Sequence, residues 1–359
     1  MKKIFWAEPY KINKSKKIIL KSLEKTEISG SGKYVDIFER RLTRIYKSPI
    51  CVTSSGTTAL QLALISLDLK KDSEVIIPAY GYMAAANLSK NFNFKINFCD
   101  VSEHTFCIDI EKLKKKVTSK TKVVIFIHTY GFSSEIDKIA KFCKKNKIIL
   151  IEDTAEAFGS LYKNRLLGTY GDLGTLSFHA SKTITTGEGG AVIVNNKKYL
   201  RRIKLYRSHG IDKIPFQHII PGFNFRLSSI SCALGISQIN NFKKIKKIRK
   251  KLYRYYLNNI SNKEILFQKC IKYLEPIVWC FSIRIKNPLV KKKIINNFKN
   301  KNIQFRLGFS TPSKIKFFNN TKYKNSEKLY KEVVCIPFHS NLTKKEINLI
   351  IRIIHESVL

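Results

Sequence analysis

Three short stretches hold residues able to do chemistry together. In residues 175–195, TLSFHASKTITTGEGGAVIVN, Lys182 sits among small and hydroxylated residues between two β-rich runs, apart from the Lys-rich stretches that hold nearly all the others. Its amine can form a Schiff base or carry a proton; the alternative is an ordinary solvated loop lysine. Residues 51–67, CVTSSGTTALQLALISL, end an apolar run and open a helix with Ser54, Ser55, Gly56, Thr57 and Thr58 in its first turn. Free amides and hydroxyls at a helix N-terminus bind phosphate, although Ser and Thr are also common N-caps. Residues 148–160, IILIEDTAEAFGS, read as an apolar strand that delivers Asp153 at its carboxyl end, where ligand groups gather in open α/β sheets. That acid could equally cap the following helix.

Together, a phosphate cradle, a carboxylate at a strand end and a lysine on a later loop are the three fixed contacts of pyridoxal 5′-phosphate (PLP). The aldehyde needs an amine, the pyridine nitrogen needs an anion to stay protonated as an electron sink, and the phosphate needs an anchor.

The elements that must position these groups alternate. Glu74 to Pro78, residues 96–100 and 123–127 read as buried strands, with helices over 109–116 and 135–145, the latter placing Ile136, Ile139, Ala140 and Cys143 at helical spacing. This alternation predicts a mainly parallel sheet. Upstream, a helix from about Lys14 puts Ile18, Ile19 and Leu23 on one face, and another over 34–46 turns Val35, Phe38, Leu42 and Ile45 inward. Thr185 to Gly190 forms a tight connection between strands. Downstream, one long basic helix is expected over 239–259, with Phe242, Ile245, Ile248 and Leu252 as its apolar stripe and its Lys and Arg residues solvated. Strands over 277–285 and 303–306 and helices over 291–300 and 343–355 complete a smaller C-terminal unit. The expected division is 1–238 and 239–359.

The motifs SSGTTAL, IEDTAEAFGS, GDLGTLSFHASKTITTGEGGAV, RSHG and GFNFRLSSISCALGISQI occur in this order. From Glu8-Pro9 to Ile336-Pro337 the chain resembles the DegT-type PLP-dependent nucleotide-sugar aminotransferases, most closely the branch of perosamine synthases and PseC-like 4-aminotransferases. The resemblance implies fold type I: a large domain with a seven-stranded, mixed, mostly parallel sheet, and a smaller α+β domain. It implies that Lys182 bears the cofactor and moves the proton, that Asp153 faces the ring nitrogen, and that Gly56, Thr57 and Ser177 hold the phosphate. Tyr82 takes the position that stacks on the ring, in a stretch where the family usually has Thr and Phe for Gly81 and Tyr82; the alternative is a core aromatic. Glu156 falls near the ring hydroxyl. Asn224 is implied to reach the cofactor phosphate of a neighbouring subunit, and Arg226 a substrate phosphate, which makes the site composite and the working unit a homodimer. Ser29 lies in the loop that touches the sugar nucleotide, or in a plain Gly-Ser connection, and His179 is a candidate for shaping the sugar site, or a structural histidine.

The implied reaction moves an amino group from an amino acid, glutamate by analogy, to a nucleotide-linked 4-keto-6-deoxyhexose, giving a 4-amino sugar for surface glycans such as the lipopolysaccharide O-antigen. A 3-keto sugar is the nearest alternative, and residues 306–318, RLGFSTPSKIKFF, depart from the family's usual substrate-binding pattern. A PLP-dependent sugar dehydratase shares the fold but has histidine for the lysine, so Lys182 argues against it. A regulatory relative would have lost the acids or the lysine.

Composition sets the bounds. The 359 residues, 44% apolar and 11% aromatic, suffice for one large α/β domain and a smaller one. The net charge of +41 would favour anionic partners, but the lysines are scattered through every segment. A compositional bias and steering of a diphosphate substrate are therefore expected, not nucleic-acid binding. No run has the length of a membrane span and no signal peptide is visible, so the expected location is cytoplasmic. Cys51, Cys99, Cys107, Cys143, Cys232, Cys270, Cys280 and Cys335 lack metal-binding spacing and read as reduced core residues, with no metal site.

Overall fold

A seven-stranded sheet organises the computed structural model, which describes residues 2–318 and 320–358. Its strands are β1 (Ile50–Thr53), β2 (Glu74–Pro78), β3 (Lys95–Cys99), β4 (Thr121–Ile127), β5 (Ile149–Asp153), β6 (Leu173–Ser177) and β7 (Gly190–Val194), in the order β1-β7-β6-β5-β4-β2-β3. From β6 to β3 every neighbour is parallel, whereas β7 is antiparallel to both β6 and β1. Side-chain alternation explains why the sheet is covered on both faces. Val75, Ile77, Val123 and Ile125 pack with Leu60 and Ala63 of the helix Gly56–Ser66, while Ile76, Val124 and Phe126 face the opposite core.

That second core continues without a break into a four-stranded antiparallel sheet, β8 (Ile265–Phe267), β9 (Phe281–Ile285), β10 (Arg306–Leu307) and β11 (Val333–Ile336), in the order β8-β9-β11-β10. The helices Pro288–Asn300 and Lys344–Val358 supply Ile294, Phe298, Ile350 and Ile354 to it. No helix among the described residues is long and apolar enough to cross a membrane, and all eight cysteines are free, Cys270 being the exposed one.

Several expected elements differ from those formed. The helix Lys16–Glu24 and its N-cap bury Ser15 and Ser22 with Ile18 packed against the core beside them, while Leu23 is left 47% exposed, so the buried line holds only part of the stripe read from Ile18, Ile19 and Leu23. The long basic helix expected over 239–259 forms as Phe242–Asn259, its start set back by the end of a separate helix, Ser229–Asn240. Within Phe242–Asn259, Arg249 is only 2% exposed and donates to the carbonyls of Val278 and Trp279, so that one cation is buried, not solvated. The stretch expected as a strand over 277–285 pairs only from Phe281, where its alternating pattern first meets a partner strand. The one over 303–306 is divided: Ile303 makes a single parallel bridge to Ile4, and the strand proper is Arg306–Leu307.

Candidate active site

Carboxyl ends of the parallel strands converge on one cavity of about 340 Å³. β5 ends at Asp153, and its pairing with β6 sets Asp153 opposite Thr175, two residues before Ser177. β6 and β7 are antiparallel neighbours joined by the loop that carries Lys182. This loop is tied down locally: the amide of Phe178 donates to Gly189 O (2.8 Å), that of Thr186 to Phe178 O (2.9 Å) and that of Lys182 to His179 O (2.9 Å). β7 begins against the turn after β1. A Cβ on Gly190 would stand 2.3 Å from the carbonyl oxygen of Ser55, so only glycine allows this approach.

The turn after β1 becomes the N-terminus of the helix Gly56–Ser66. Ser55 is its N-cap and forms a capping box with Thr58, its hydroxyl accepting from Thr58 N at 3.1 Å while Ser55 N donates to Thr58 Oγ1 at 2.9 Å. The Ser/Thr cluster is therefore the helix cap the sequence allowed, and it leaves other first-turn amides open. Ser55 and Thr58 satisfy each other, and the first-turn amides of Gly56 and Thr57, which have no intrahelical acceptor, border the cavity beside Ser177.

Buried ionisable groups face one another across this space. Asp153 accepts from Ala155 N (3.0 Å) and Thr175 Oγ1 (3.4 Å), and its burial raises its pKa. Glu156 accepts from Tyr130 N (2.8 Å); burial pushes its carboxyl up to about 7, against the pull of Lys182. Burial likewise lowers the pKa of Lys182, whose Nζ lies 3.9 Å from Glu156 Oε1. Behind Asp153, the fully buried Glu152 accepts from His128 Nε2 (2.9 Å) and from the amides of Gly168, Tyr170 and Gly171, fixing the loop that leads into β6.

Gly56, Thr57, Tyr82, Asp153, Glu156, Ser177, His179 and Lys182 all line the cavity. Tyr82 is 63% exposed at the rim, edge-on to Phe309, and His179 is half-exposed, with Nε2 3.6 Å from Glu188 Oε1. Ser29, Asn224 and Arg226 are not part of this lining. They form a second cluster: Arg226 Nε donates to Asn224 Oδ1 (3.0 Å), Arg226 meets His209 (3.1 Å), and the Ser29 carbonyl accepts from Ser229 N (2.9 Å) next to the Gly30–Arg226 contact.

The structure also brings here Trp279, which motif reading did not place, and Arg306 and Phe309 from the stretch that departs from the family's substrate-binding pattern. They also line an adjoining cavity of about 430 Å³ with Trp6 and Tyr130. Trp279 had been read as part of an alternating strand, and no local pattern marks a residue almost 100 positions from Lys182 as its neighbour.

The DegT/DnrJ/EryC1/StrS aminotransferase family matches residues 10–355. The chain belongs to that family. It is 32% identical over 308 residues to a GDP-perosamine synthase of Escherichia coli O157:H7, covering 85% of this chain and 84% of the relative. It is 31% identical over 338 residues to a UDP-4-amino-4,6-dideoxy-N-acetyl-beta-L-altrosamine transaminase of Campylobacter jejuni, covering 90% and 89%. Helicobacter pylori PseC, an aminotransferase involved in the biosynthesis of pseudoaminic acid, superposes with a TM-score of 0.93 over 99% of both chains at 25% identity. The seven-stranded mixed sheet expected from the resemblance is thus the fold of a PLP-dependent sugar aminotransferase. The cavity fits that cofactor: a buried acid whose ionisation is costly is favoured by a ring N–H, a buried amine suits an aldehyde, and an open helix N-terminus suits a phosphate.

Proposed function

We propose that this aminotransferase moves an amino group from an amino acid, glutamate, to a nucleotide-linked 4-keto-6-deoxyhexose, yielding a 4-amino sugar for surface glycans. The observation that carries the reading is the convergence of Lys182, Asp153 and Glu156 on the cavity that also takes in the first turn of Gly56–Ser66. The 4-position is supported by the two relatives above, whose names both denote 4-amino-sugar chemistry.

When bound, PLP supplies an aldehyde that takes up the donor's amine and a protonated ring that spreads carbanion charge. The amides of Gly56 and Thr57 and the hydroxyl of Ser177 would hold its phosphate, Asp153 would keep its ring nitrogen protonated, Glu156 would serve its ring hydroxyl, and Tyr82 would pack on its ring. Lys182 would hold the cofactor's aldehyde, and its amine, when free, would be placed to take a proton from the donor's α-carbon and, in the second half of the reaction, to move one at the sugar carbon that gains the nitrogen. Burial supports this task, because a lysine whose ammonium is disfavoured is more readily a neutral base near neutral pH.

Ser29, Asn224 and Arg226, clustered away from the cavity, serve the site of a second copy: Asn224 its cofactor phosphate, Arg226 and Ser29 the sugar nucleotide. The working unit is a homodimer in the cytoplasm, residues 1–238 forming the cofactor domain and 239–359 the smaller one, with His179 at the sugar side. Incubation with PLP, glutamate and a panel of nucleotide 4-keto and 3-keto sugars tests the reading, with products identified by mass. A 4-amino product is expected. A 3-amino product, or loss of the sugar's 3-hydroxyl without gain of nitrogen, would overturn it.

A further inference from the structure

The ammonium of Lys182 does not rest on a carboxylate. Glu156 Oε1, at 3.9 Å, lies beyond hydrogen-bond reach, whereas Nζ sits 3.7 Å from the centroid of the Trp279 ring. A cation at that distance over an indole face, out of bulk water, is in the strong range of cation–π contacts. The ring is held in this orientation from several sides. Its Nε1–H donates to Ser181 O at 2.8 Å, gripping the residue next to Lys182, and its own amide donates to Tyr130 O at 3.0 Å. Its carbonyl and that of Val278 accept from the buried Arg249 guanidinium, and Trp6 packs against it edge-on at 5.5 Å. Trp279 itself is 4% exposed.

We propose that Trp279 is a positioning residue, docking the ε-ammonium of Lys182 on its indole face whenever that amine is not joined to the cofactor. This rests on the reading of Lys182 as the cofactor-bearing, proton-moving lysine. A four-carbon side chain freed in a cavity would otherwise sample many rotamers. The attraction is electrostatic, between the cation and the ring's negative face, so the platform holds the lysine while it carries the proton and lets it go once the proton is delivered. Arg306 stacks on Trp6 at 4.4 Å, which holds its guanidinium on the other indole of the pair although it borders the same cavity. The other groups that act on the Lys182 charge are Glu156 and Asp153, which favour it, Arg306, which opposes it, and the Cys280 thiol.

The test uses cofactor-free protein and the pH dependence of Lys182 acetylation, followed by peptide mass spectrometry in wild type, Trp279→Leu and Trp279→Phe. Leucine removes the face, so the Lys182 midpoint should fall by about one pH unit, a tenfold loss of proton affinity. Phenylalanine retains a weaker face and should recover part of that fall. Equal midpoints in all three would overturn the proposal. A second measurement needs no large cavity. Trp6 and Trp279 are the two tryptophans of the chain, so Trp6→Phe leaves Trp279 as the only indole emitter. Its fluorescence should show a step where Lys182 titrates, and that step should vanish on adding Lys182→Met; its persistence would sink the docking. Failure of the underlying reading looks different: Lys182→Ala would then retain lysine-bound cofactor, whatever Trp279 does.

Discussion

Replacing Glu156 by glutamine gives the sharpest test of the buried electrostatics. The glutamine keeps the shape and an acceptor for Tyr130 N, but removes an acid whose burial carries it from 4.5 to about 7. The sign follows from proton linkage. A carboxyl with a raised folded-state value binds more protons in the native than in the unfolded chain between those two pH values, so stability is lost as pH rises through that window. Below 4.5 the acid costs nothing; above 7 the cost is constant. At 1.36 kcal/mol per pH unit the full cost is about 3 kcal/mol, of which roughly 2.5 kcal/mol falls between pH 5 and pH 8. Urea unfolding of the cofactor-free protein at pH 5, 6, 7 and 8 reads it directly. Wild type should lose that much more stability across the range than Glu156→Gln, the other titrating groups being common to both. In a Lys182→Met background, which removes the cation that favours ionised Glu156, the window should extend to higher pH. Parallel pH profiles for wild type and Glu156→Gln would refute the burial argument.

Lys182→Ala should abolish the visible absorption of lysine-bound cofactor in the purified protein; a retained band would identify another anchoring lysine. Gly56→Ala puts a Cβ 2.8 Å from Ser177 Cβ, and overpacking of about 1–3 kcal/mol should weaken PLP binding roughly tenfold in a fluorescence titration of the cofactor-free protein. Glu152→Ala leaves the amides of Gly168, Tyr170 and Gly171 without their acceptor, so a loss of about 3–5 kcal/mol is expected from the urea midpoint. A near-neutral result there would show that water satisfies those amides.

Much of the site was legible because its parts are local. The Ser/Thr helix cap, the acid at the end of an apolar strand and the glycine-rich loop after Lys182 each occupy a few consecutive residues, and their backbone chemistry is decided within that span. Burial of the Lys16–Glu24 helix was not local. Its Ile and Leu spacing suits a core face, yet the line turned toward the helix Ser229–Asn240 is Ser15, Ile18 and Ser22, and Leu20 and Leu23 remain exposed. Arg249 errs the other way: a cation in a basic helix reads as solvated, and only the arrival of the Val278 and Trp279 carbonyls makes its burial tolerable.

The sequence by itself determined the α/β alternation, because periodicity and turn chemistry act over neighbouring residues, and its motifs carried the resemblance to the family and singled out the lysine, acid and helix terminus that line the cavity. Strand order, which seats β6 beside β5 and so brings Ser177 near Asp153, was decided by tertiary structure. So was the indole of Trp279 over the Lys182 amine, since contacts between segments far apart in the chain arise from packing and leave no periodic trace in either segment.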